Sequence, residues 1–404
     1  MIDEPGPWGT GPFTLVQGAS SITTRPAIMS AAPFRASSII ESEQRDPQVV
    51  LEANRDHWNR AARGPRIERA VFRNDLTPDE ALRLVCDTEG EVDIVTEVSP
   101  ADAQRVLDSA HARLVVSDAN RVLVGILNRG SDAPLHDVEV RRALNRAIDR
   151  EAVVDRGLNG YASVIPAMTP PWCSGFPAGV QPYELDAARA REAFAQAGWP
   201  PRRPLRIATP ESFAAIAHIL AAGIRSALDL MVEVVVVPPD QLPAGSRALI
   251  EKKLDLPWDV LLHPWFDLSS EAPPAAVHRE FFGLDGAFRA GPPDDGFDAL
   301  FDEMKVQLDG EALVEVAERI DAYVHDQALA LFICAPQALY AVNEHVTFSP
   351  YKTTFELAEV TVDEQHWSVS GGRSDTGGGD LGDRTAIRPT SGKPTFSQAS
   401  GNAC

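Results

Sequence analysis

The chain contains 404 residues, with 37 Lys and Arg against 58 Asp and Glu, so its formal net charge is −21. An apolar fraction of 44% and a charged fraction of 24% are ordinary for a folded globular protein and exclude a largely disordered chain. The acidic excess argues against nucleic acid or an anionic membrane surface as a partner, because both are recognised by clustered Lys and Arg.

Neither a membrane span nor a metal-binding motif is indicated by the sequence. No apolar run approaches the roughly 18–20 residues that a membrane-spanning helix needs. The first seven residues contain neither a basic region nor an apolar stretch, so no secretory signal is predicted. The cysteines Cys86, Cys173, Cys334 and Cys404 are far apart, which is typical of neither a disulfide framework nor a zinc site. Their disulfide state stays open.

Residues 1–128 predict a mixed α/β unit that begins with irregular chain up to residue 48. Thr77-Pro78 and Ser99-Pro100 each predict a helix start, because the hydroxyl can cap the helix and proline suits its first turn. Apolar and β-branched residues run together or alternate in several short segments. We predict strands at 49–53, 67–72, 92–95, 113–116 and 121–128.

Residues after 128 predict a second α/β unit. Apolar residues at helical spacing predict helices that include 140–148, 216–228, 247–253 and 313–324, and further helices are predicted to begin near 150 and 186. Strands are predicted at 205–208, 232–237, 260–262, 329–333 and 339–342. The strand 232–237 is almost continuously apolar, as expected in a sheet that is covered on both faces. Pro- and Gly-rich segments at 165–183 and 285–296 predict loops, and the Gly/Ser/Thr-rich tail predicts disorder.

Eight short motifs occur in an order that resembles one known family. They are GTGPF at 9–13, LEANRDHW at 51–58, GEVDI at 90–94, LHDVEVRRALNRAIDR at 135–150, GYA at 160–162, YELD at 183–186, AGWP at 197–200 and HDQALAL at 325–331. Their order and spacing over residues 6–367 are similar to the extracytoplasmic solute-binding proteins of ABC importers. The resemblance is to family 5, whose members bind oligopeptides, dipeptides and nickel complexes.

The resemblance implies an α/β fold of the two-lobed periplasmic-binding-protein type (class II), in which a ligand closes two lobes around a cleft. Family members carry a signal peptide and a long N-terminal segment that builds much of the first lobe. Neither is found here, so we expect an N-terminally shortened chain with an incomplete first lobe. We predict the remainder of lobe 1 at 1–128 with 336–368 returning to it, lobe 2 at 129–335 and a disordered tail at 369–404. Hinges are expected near 122–128 and 335–340.

The main candidate ligand site is the loop from Trp265 to Glu271. It follows the predicted strand 260–262, and open α/β sheets present ligands at the carboxyl ends of their strands. The resemblance to dipeptide-binding relatives offers Asp267 or Glu271 as the acid that meets a peptide α-ammonium, which needs a charged partner when it leaves water. Trp265 offers an apolar wall or a cation–π face. Alternatively, Asp267 or Ser269 only caps a following helix.

Further candidates lie before and after the strand predicted at 121–128. Trp172, with Phe176, either lines the cleft or only packs. Asn120 and Arg121 precede the crossing strand, where Arg121 either holds a ligand carboxylate through both prongs of its guanidinium or forms a surface ion pair. By contrast, the neighbouring pair at 141–142, Arg-Arg, is predicted to lie on a solvated helix face.

No catalytic or metal-binding motif appears: the nine histidines are scattered, and there is no nucleophile elbow, phosphate-binding loop or dinucleotide fingerprint. We therefore expect no metal, no cofactor and no enzymatic activity. The expected function is that of the solute-binding component of an ABC importer, which binds a peptide-like or other small polar ligand. The resemblance implies a monomer that serves a permease and ATPase complex from the periplasmic or another extracytoplasmic side.

Two alternatives stay open. One is a shortened remnant that binds nothing, because a missing part of lobe 1 leaves unpaired sheet edges and exposed core, unless a separate chain supplies that part. The other is a hydrolase that uses Asp267, Glu271 and His263 as acid–base groups.

Overall fold

The structure is a computed structural model, and it describes residues 10–18, 20–26, 38–197, 199–200, 202–238, 257–266, 273–351 and 354–370. The strands are β1 (Phe13–Gln17), β2 (Ser20–Pro26), β3 (Ser38–Arg45), β4 (Gln48–Ala53), β5 (Arg69–Arg73), β6 (Ile94–Val95), β7 (Ala112–Ser117), β8 (Arg121–Leu127), β9 (Ala162–Val164), β10 (Leu205–Pro210), β11 (Val232–Val237), β12 (Val260–Phe266), β13 (Ala330–Pro336), β14 (Ala338–Asn343), β15 (Val346–Thr347), β16 (Pro350–Tyr351), β17 (Thr354–Phe355) and β18 (Thr361–Val362). The helices are α1 (Arg60–Arg63), α2 (Pro78–Asp87), α3 (Ala103–Leu107), α4 (Val138–Arg146), α5 (Arg150–Leu158), α6 (Ala187–Gln196), α7 (Ala214–Leu228), α8 (Ala275–Phe282), α9 (Asp295–Lys305), α10 (Gly310–Asp326) and α11 (Trp367–Ser370).

A six-stranded sheet in the order β11-β10-β12-β8-β13-β9 is the largest sheet described. β8 lies inside it, and successive side chains of a strand point to opposite faces. Leu123 and Leu127 enter a core that includes residues of α4, α5, α6 and α7. Val122, Val124 and Ile126 enter a second core that includes residues of α8, α9 and α10. The centre of the sheet is therefore covered on both faces.

β11 forms an edge of this sheet and differs from the prediction. It pairs in parallel with β10, as expected for a strand–helix–strand unit joined by α7. Val235 and Val236 are 43% and 40% exposed. The apolar run therefore does not mark a strand that is buried on both faces, because an edge strand has a neighbour on only one side.

The chain enters the six-stranded sheet from the lobe 1 residues just before β8. Residues 121–127 pair with β12 and β13, so they share a sheet with later residues rather than with the residues before them. The predicted division after residue 128 does not match this pairing, and the first crossing lies at 118–120 rather than within 122–128. The second crossing is Gln337, between β13 and β14, inside the range predicted from sequence.

A smaller sheet in the order β6-β14-β7 has its own cores. On one face of β14, Leu339 and Ala341 pack with residues of α2 and α3. On the other face, Tyr340 and Val342 pack with residues of the segment 346–362. A third sheet, β1-β4-β5, leaves Phe72 41% exposed. The residues assigned to lobe 1 thus include a packed unit, although part of their surface is open.

Some elements differ from the predictions in kind. β1, β2 and β3 occupy the stretch predicted to be irregular, and α8 and α9 were not predicted. The helix predicted near 247 and the tail predicted to be disordered lie outside the described residues. Within the described part of the chain, no helix is both long and apolar enough to cross a bilayer.

Candidate functional site

The strands of the large sheet bring both crossings to one end of it. β12 is antiparallel to β8, so Phe266 at its carboxyl end lies opposite Arg121 at the start of β8. β10 is parallel to β12, and β13 is antiparallel to β8. The carboxyl ends of β10, β12 and β13 therefore lie beside the crossings at 118–120 and 337. We call this edge the crossing end, and open α/β sheets place ligands at such an edge.

The two crossings are hydrogen bonded to each other. The side-chain amide of Gln337 donates to the Asp118 carboxylate over 3.0 Å. The backbone N–H of Gln337 also donates to the carbonyl oxygen of Tyr161 over 3.0 Å. Ala119, between them in the first crossing, is fully buried. The crossing end therefore contains two short connections that are hydrogen bonded to each other, at the place where a hinge between two lobes is expected.

Trp172 and Asn120, predicted separately, lie in one hydrogen-bonded unit. Trp172 Nε1 donates to the carbonyl oxygen of Ala119 over 3.1 Å. The Cys173 thiol donates to Asn120 Oδ1 over 3.1 Å. Asn120 is only 4% exposed, so it supports the loop that carries Trp172. Phe176 in the same loop is half-buried.

Arg121 forms no ion pair with another described residue, in contrast to the surface pairing considered from sequence. Its side chain is half-buried at the start of β8. Burial raises the pKa of Tyr340, and the positive charge of Arg121 opposes that rise. The guanidinium thus lies close enough to act on the pKa of Tyr340.

Trp265 lies opposite Val122, one residue before the carboxyl end of β12. Its ring packs edge-on against Phe281 with centroids 4.6 Å apart. Its Nε1–H is buried and has no hydrogen-bond acceptor among the described residues. The side chain is therefore anchored by its apolar face with one polar atom left to bind. The acids predicted beside it, Asp267 and Glu271, lie outside the described residues together with Ser269, so their roles stay predictions.

His263 has an apolar environment that does not suit an acid–base group. Its ring centroid lies 5.9 Å from those of Phe281 and Phe288 and 6.3 Å from that of Trp265. Burial lowers the pKa of His263 to about 4, so the imidazole is neutral at pH 7. Among the described residues, no carboxylate is paired with it. The described residues thus give His263 no acidic partner of the kind that the hydrolase alternative needs.

The prediction that Arg141 lies on a solvated helix face is wrong. Arg141 is buried, and its guanidinium donates to the carbonyl oxygens of Leu135, His136, Gln327 and Ala328. Arg142 is more exposed and pairs with Glu139 over 2.6 Å. Distant carbonyls supply the partners of Arg141, and no local pattern in the sequence indicates them.

Sequence reasoning predicted a hinge at 335–340 without singling out Gln337, and it missed Cys173 as part of the crossing end. Both act through residues far away in the chain, so no spacing signal reveals them. Within the described ranges, no group of three or more metal-ligating side chains that could hold a metal ion is present. None of Cys86, Cys173 and Cys334 forms a disulfide with another described residue.

Comparison with known proteins identifies relatives of this chain. The chain is 26% identical over 160 residues to di/tripeptide-binding protein 3 of Pseudomonas aeruginosa, which is 40% of this chain and 29% of that protein. It is 23% identical over 177 residues to heme-binding protein A of Haemophilus influenzae, or 44% of this chain and 31% of that protein. These alignments thus span less than a third of each relative's length.

Solved structures show the same fold. The ABC transporter substrate-binding protein CtaP of Listeria monocytogenes superposes with a TM-score of 0.70 at 19% identity, over 88% of this chain and 67% of that one. DppA of Helicobacter pylori, in complex with the peptide STSA, superposes with a TM-score of 0.65 at 18% identity, over 88% and 63% of the two chains. The two-lobed class II fold is therefore confirmed.

A family model covers most of the segments that build the large sheet. It is described as bacterial extracellular solute-binding proteins, family 5 Middle, and it matches residues 5–275. The resemblance drawn from the eight motifs is thereby confirmed. The chain belongs to family 5 of the bacterial extracellular solute-binding proteins.

Proposed function

We propose that this chain is the solute-binding component of an ABC importer and that it binds a peptide-like or other small polar solute at the crossing end. One observation carries the proposal: Trp172 and Trp265 pack against one core at the crossing end, where β8 begins with Arg121, which has no ion pair among the described residues. The names of the relatives support it, since they bind dipeptides, tripeptides and heme. In this proposal the protein works outside the cytoplasm with a permease and ATPase complex, as a monomer, and makes no chemical change in its solute.

The chemistry of the crossing end suits a zwitterionic ligand. Arg121 presents parallel N–H donors that match a carboxylate. The indole of Trp265 presents an apolar face and one unpartnered N–H donor. Asp267 and Glu271 follow β12 in sequence and are our candidates for the partner of an α-ammonium. A ligand that contacts both lobes binds the closed form more tightly and so shifts the open–closed equilibrium.

The proposal is tested by calorimetric titration and thermal unfolding with dipeptides, oligopeptides, nickel chelates and heme. A true ligand at 100 times its Kd is expected to stabilise the protein by about 2.7 kcal/mol. Arg121→Gln and Trp265→Phe are expected to weaken binding by about tenfold or more, because each removes a polar or stacking contact. Trp58→Phe is the matched control, since Trp58 is 77% exposed and lies between β4 and β5 in the chain.

Two results would contradict the proposal. One is a folded protein that none of these ligand classes stabilises. The other is a bound ligand whose affinity falls no more in Arg121→Gln and Trp265→Phe than in Trp58→Phe. Mass spectrometry of the recovered ligand tests whether the protein leaves its solute chemically unchanged. A cleaved peptide would favour the hydrolase alternative instead.

A further inference from the structure

Arg129 is a buried cation at the end of β8 opposite to the crossing end. It is 5% exposed, and its backbone N–H donates to the carbonyl oxygen of Ala290 over 2.7 Å. Its guanidinium lies over the Phe282 ring, 5.8 Å from the centroid. Within the described part of the chain, that guanidinium donates no hydrogen bond. A guanidinium has five N–H donors, and those of Arg129 are left to solvent or to a ligand.

Two other arginines of this lobe show what a satisfied buried guanidinium looks like here. Arg141 donates to four backbone carbonyl oxygens. Arg150 donates to the carbonyl oxygens of Phe332, Asn145 and Tyr183 and to the side-chain oxygen of Asn145. Both are as deeply buried as Arg129. Arg129 therefore differs in its partners and not in its depth.

A second arginine with an open donor lies beside Arg129. Arg289 Nε is buried and has no acceptor among the described residues, while its Nη1 donates to the carbonyl oxygen of Gly291. Gly291 packs directly on Arg129, since a Cβ placed at Gly291 would lie 2.7 Å from the Cβ of Arg129. The two side chains thus leave from adjoining stretches of backbone.

The surrounding charges do not neutralise Arg129. Burial lowers the pKa of Arg129 to about 10, and the charges of Arg141 and Arg289 act in the same direction. Asp294 opposes them, but no ion pair within 4 Å joins it to Arg129, and its Oδ1 already accepts from Tyr323 Oη over 2.7 Å and from Phe297 N over 3.0 Å. Asp298 and Asp285 oppose the lowering of the Arg289 pKa. Among the described residues, Arg129 therefore has neither an ion pair nor a side-chain hydrogen bond, although Asp294 lies near enough to affect its pKa.

We propose that Arg129 and Arg289 bind a small oxyanion, a carboxylate or a phosphate, next to Gly291. An oxyanion supplies the acceptors that both guanidinium groups lack, and charge-assisted N–H···O bonds are the strong class of hydrogen bond. The site is separate from the crossing end, because Arg121 is the first residue of β8 and Arg129 lies two residues beyond its last. It does not depend on the solute-binding function.

The test uses the whole chain in chloride buffer, titrated with sodium phosphate or sodium acetate at constant ionic strength. The midpoint of thermal unfolding is expected to rise and saturate with phosphate, with acetate, or with both, and the pattern distinguishes the two sources of oxyanion. In Arg129→Gln the apparent affinity is expected to fall by about tenfold or more. Arg319→Gln is the matched control, since Arg319 is exposed and pairs with Glu303 away from Gly291.

Gly291→Ala and Arg289→Gln keep the test valid if Arg129→Gln fails to fold. The added methyl group is expected to push Arg129 out of place and weaken the oxyanion effect, whereas Trp58→Phe is expected to leave it unchanged. ³¹P line broadening of free phosphate provides a readout independent of unfolding. The proposal is overturned if neither anion exceeds chloride in the wild-type protein. It is also overturned if Arg129→Gln, Arg289→Gln and Gly291→Ala respond as fully as Arg319→Gln.

Discussion

Arg150 shows how single residues hold the interior of the large sheet. Its buried guanidinium donates to Phe332 O over 2.7 Å, to Asn145 O over 2.9 Å and to Tyr183 O over 3.0 Å. These carbonyls lie on β13, at the end of α4 and in the loop before α6, so one side chain joins three segments. Replacing it leaves several buried oxygens without donors, which is more costly than losing the hydrogen bonds themselves.

We expect Arg150→Met to lower the free energy of unfolding by roughly 2–4 kcal/mol. Urea unfolding followed by circular dichroism measures this loss. Arg319→Met is the control and should change stability little, because an exposed ion pair is largely screened by water. Equal losses in the two variants would show that the buried carbonyls find other donors.

His263 gives stability a dependence on pH. Its folded pKa of about 4 lies below the ordinary value of 6.5, because burial disfavours the imidazolium. Between these values the unfolded chain binds a proton that the folded chain does not, so stability is complete above about pH 6.5 and falls as the pH decreases toward 4. The shift corresponds to at most about 3 kcal/mol.

We expect His263→Phe to remove that part of the pH dependence, since Phe fits an aromatic surrounding and carries no titrating group. The measurement is the free energy of unfolding of both proteins at a series of pH values from 4 to 7. Parallel curves would mean that His263 titrates normally in the folded protein.

At the scale of elements, β8 is confined between its two neighbouring strands. A Cβ placed at Gly125 would lie 2.7 Å from Val260 Cγ1 and 2.8 Å from Leu331 Cβ. Gly223 in α7 is the opposite case, with nothing within 4 Å of such a Cβ. The same substitution should therefore have opposite effects at the two positions.

We expect Gly125→Ala to destabilise the protein by about 1–3 kcal/mol through overpacking. Gly223→Ala should stabilise it by about 0.5–1 kcal/mol, because alanine loses less backbone entropy than glycine inside a helix. Denaturant titration of both variants measures the free energy of unfolding. A loss of stability in Gly223→Ala would contradict the expectation that alanine favours the helix at this position.

Elements with a local chemical signal were predictable. Thr77 caps α2, and the Glu80 side chain completes the reciprocal capping hydrogen bonds, as Thr-Pro-Asp-Glu indicates. β2 and β3 were missed because their sequences contain Ser, Thr and charged residues in place of apolar alternation. α8 was missed because only eight residues follow two prolines, too few for a clear helical period.

At the scale of the whole molecule, the cores around β14 argue against a chain that folds only in its second half. Leu339 and Ala341 are buried on one face of that strand, and Tyr340 and Val342 on the other. We expect slow hydrogen exchange in β7 and β14 as well as in β8 and β13. Mass spectrometry of exchanged peptides checks this, and fast exchange throughout 112–117 and 338–343 would support the remnant alternative.

The candidate site was predictable in its parts and not in its connections. The resemblance selected Trp265, and the loop and strand patterns selected Trp172, Asn120 and Arg121. No local pattern could show that Trp172 donates a hydrogen bond to Ala119, or that Cys173 donates one to Asn120. The two partners are 53 residues apart in each case. The burial of Arg129 was not predictable for the same reason, because the residues that surround it, such as Phe282 and Ala290, are distant in the sequence.

The hydrogen bond between Asp118 and Gln337 has a consequence for how such a protein can be built. The chain leaves the sheet β6-β14-β7 after β7 and returns to it at β14, and these two points are adjacent. The residues between them are therefore equivalent to an insertion into the unit that contains this smaller sheet. An insertion with neighbouring ends can be replaced, duplicated or circularly permuted with little disturbance to its host. We therefore expect the stretch 121–336 to be exchangeable, as a cassette, for its counterpart from a relative with another specificity.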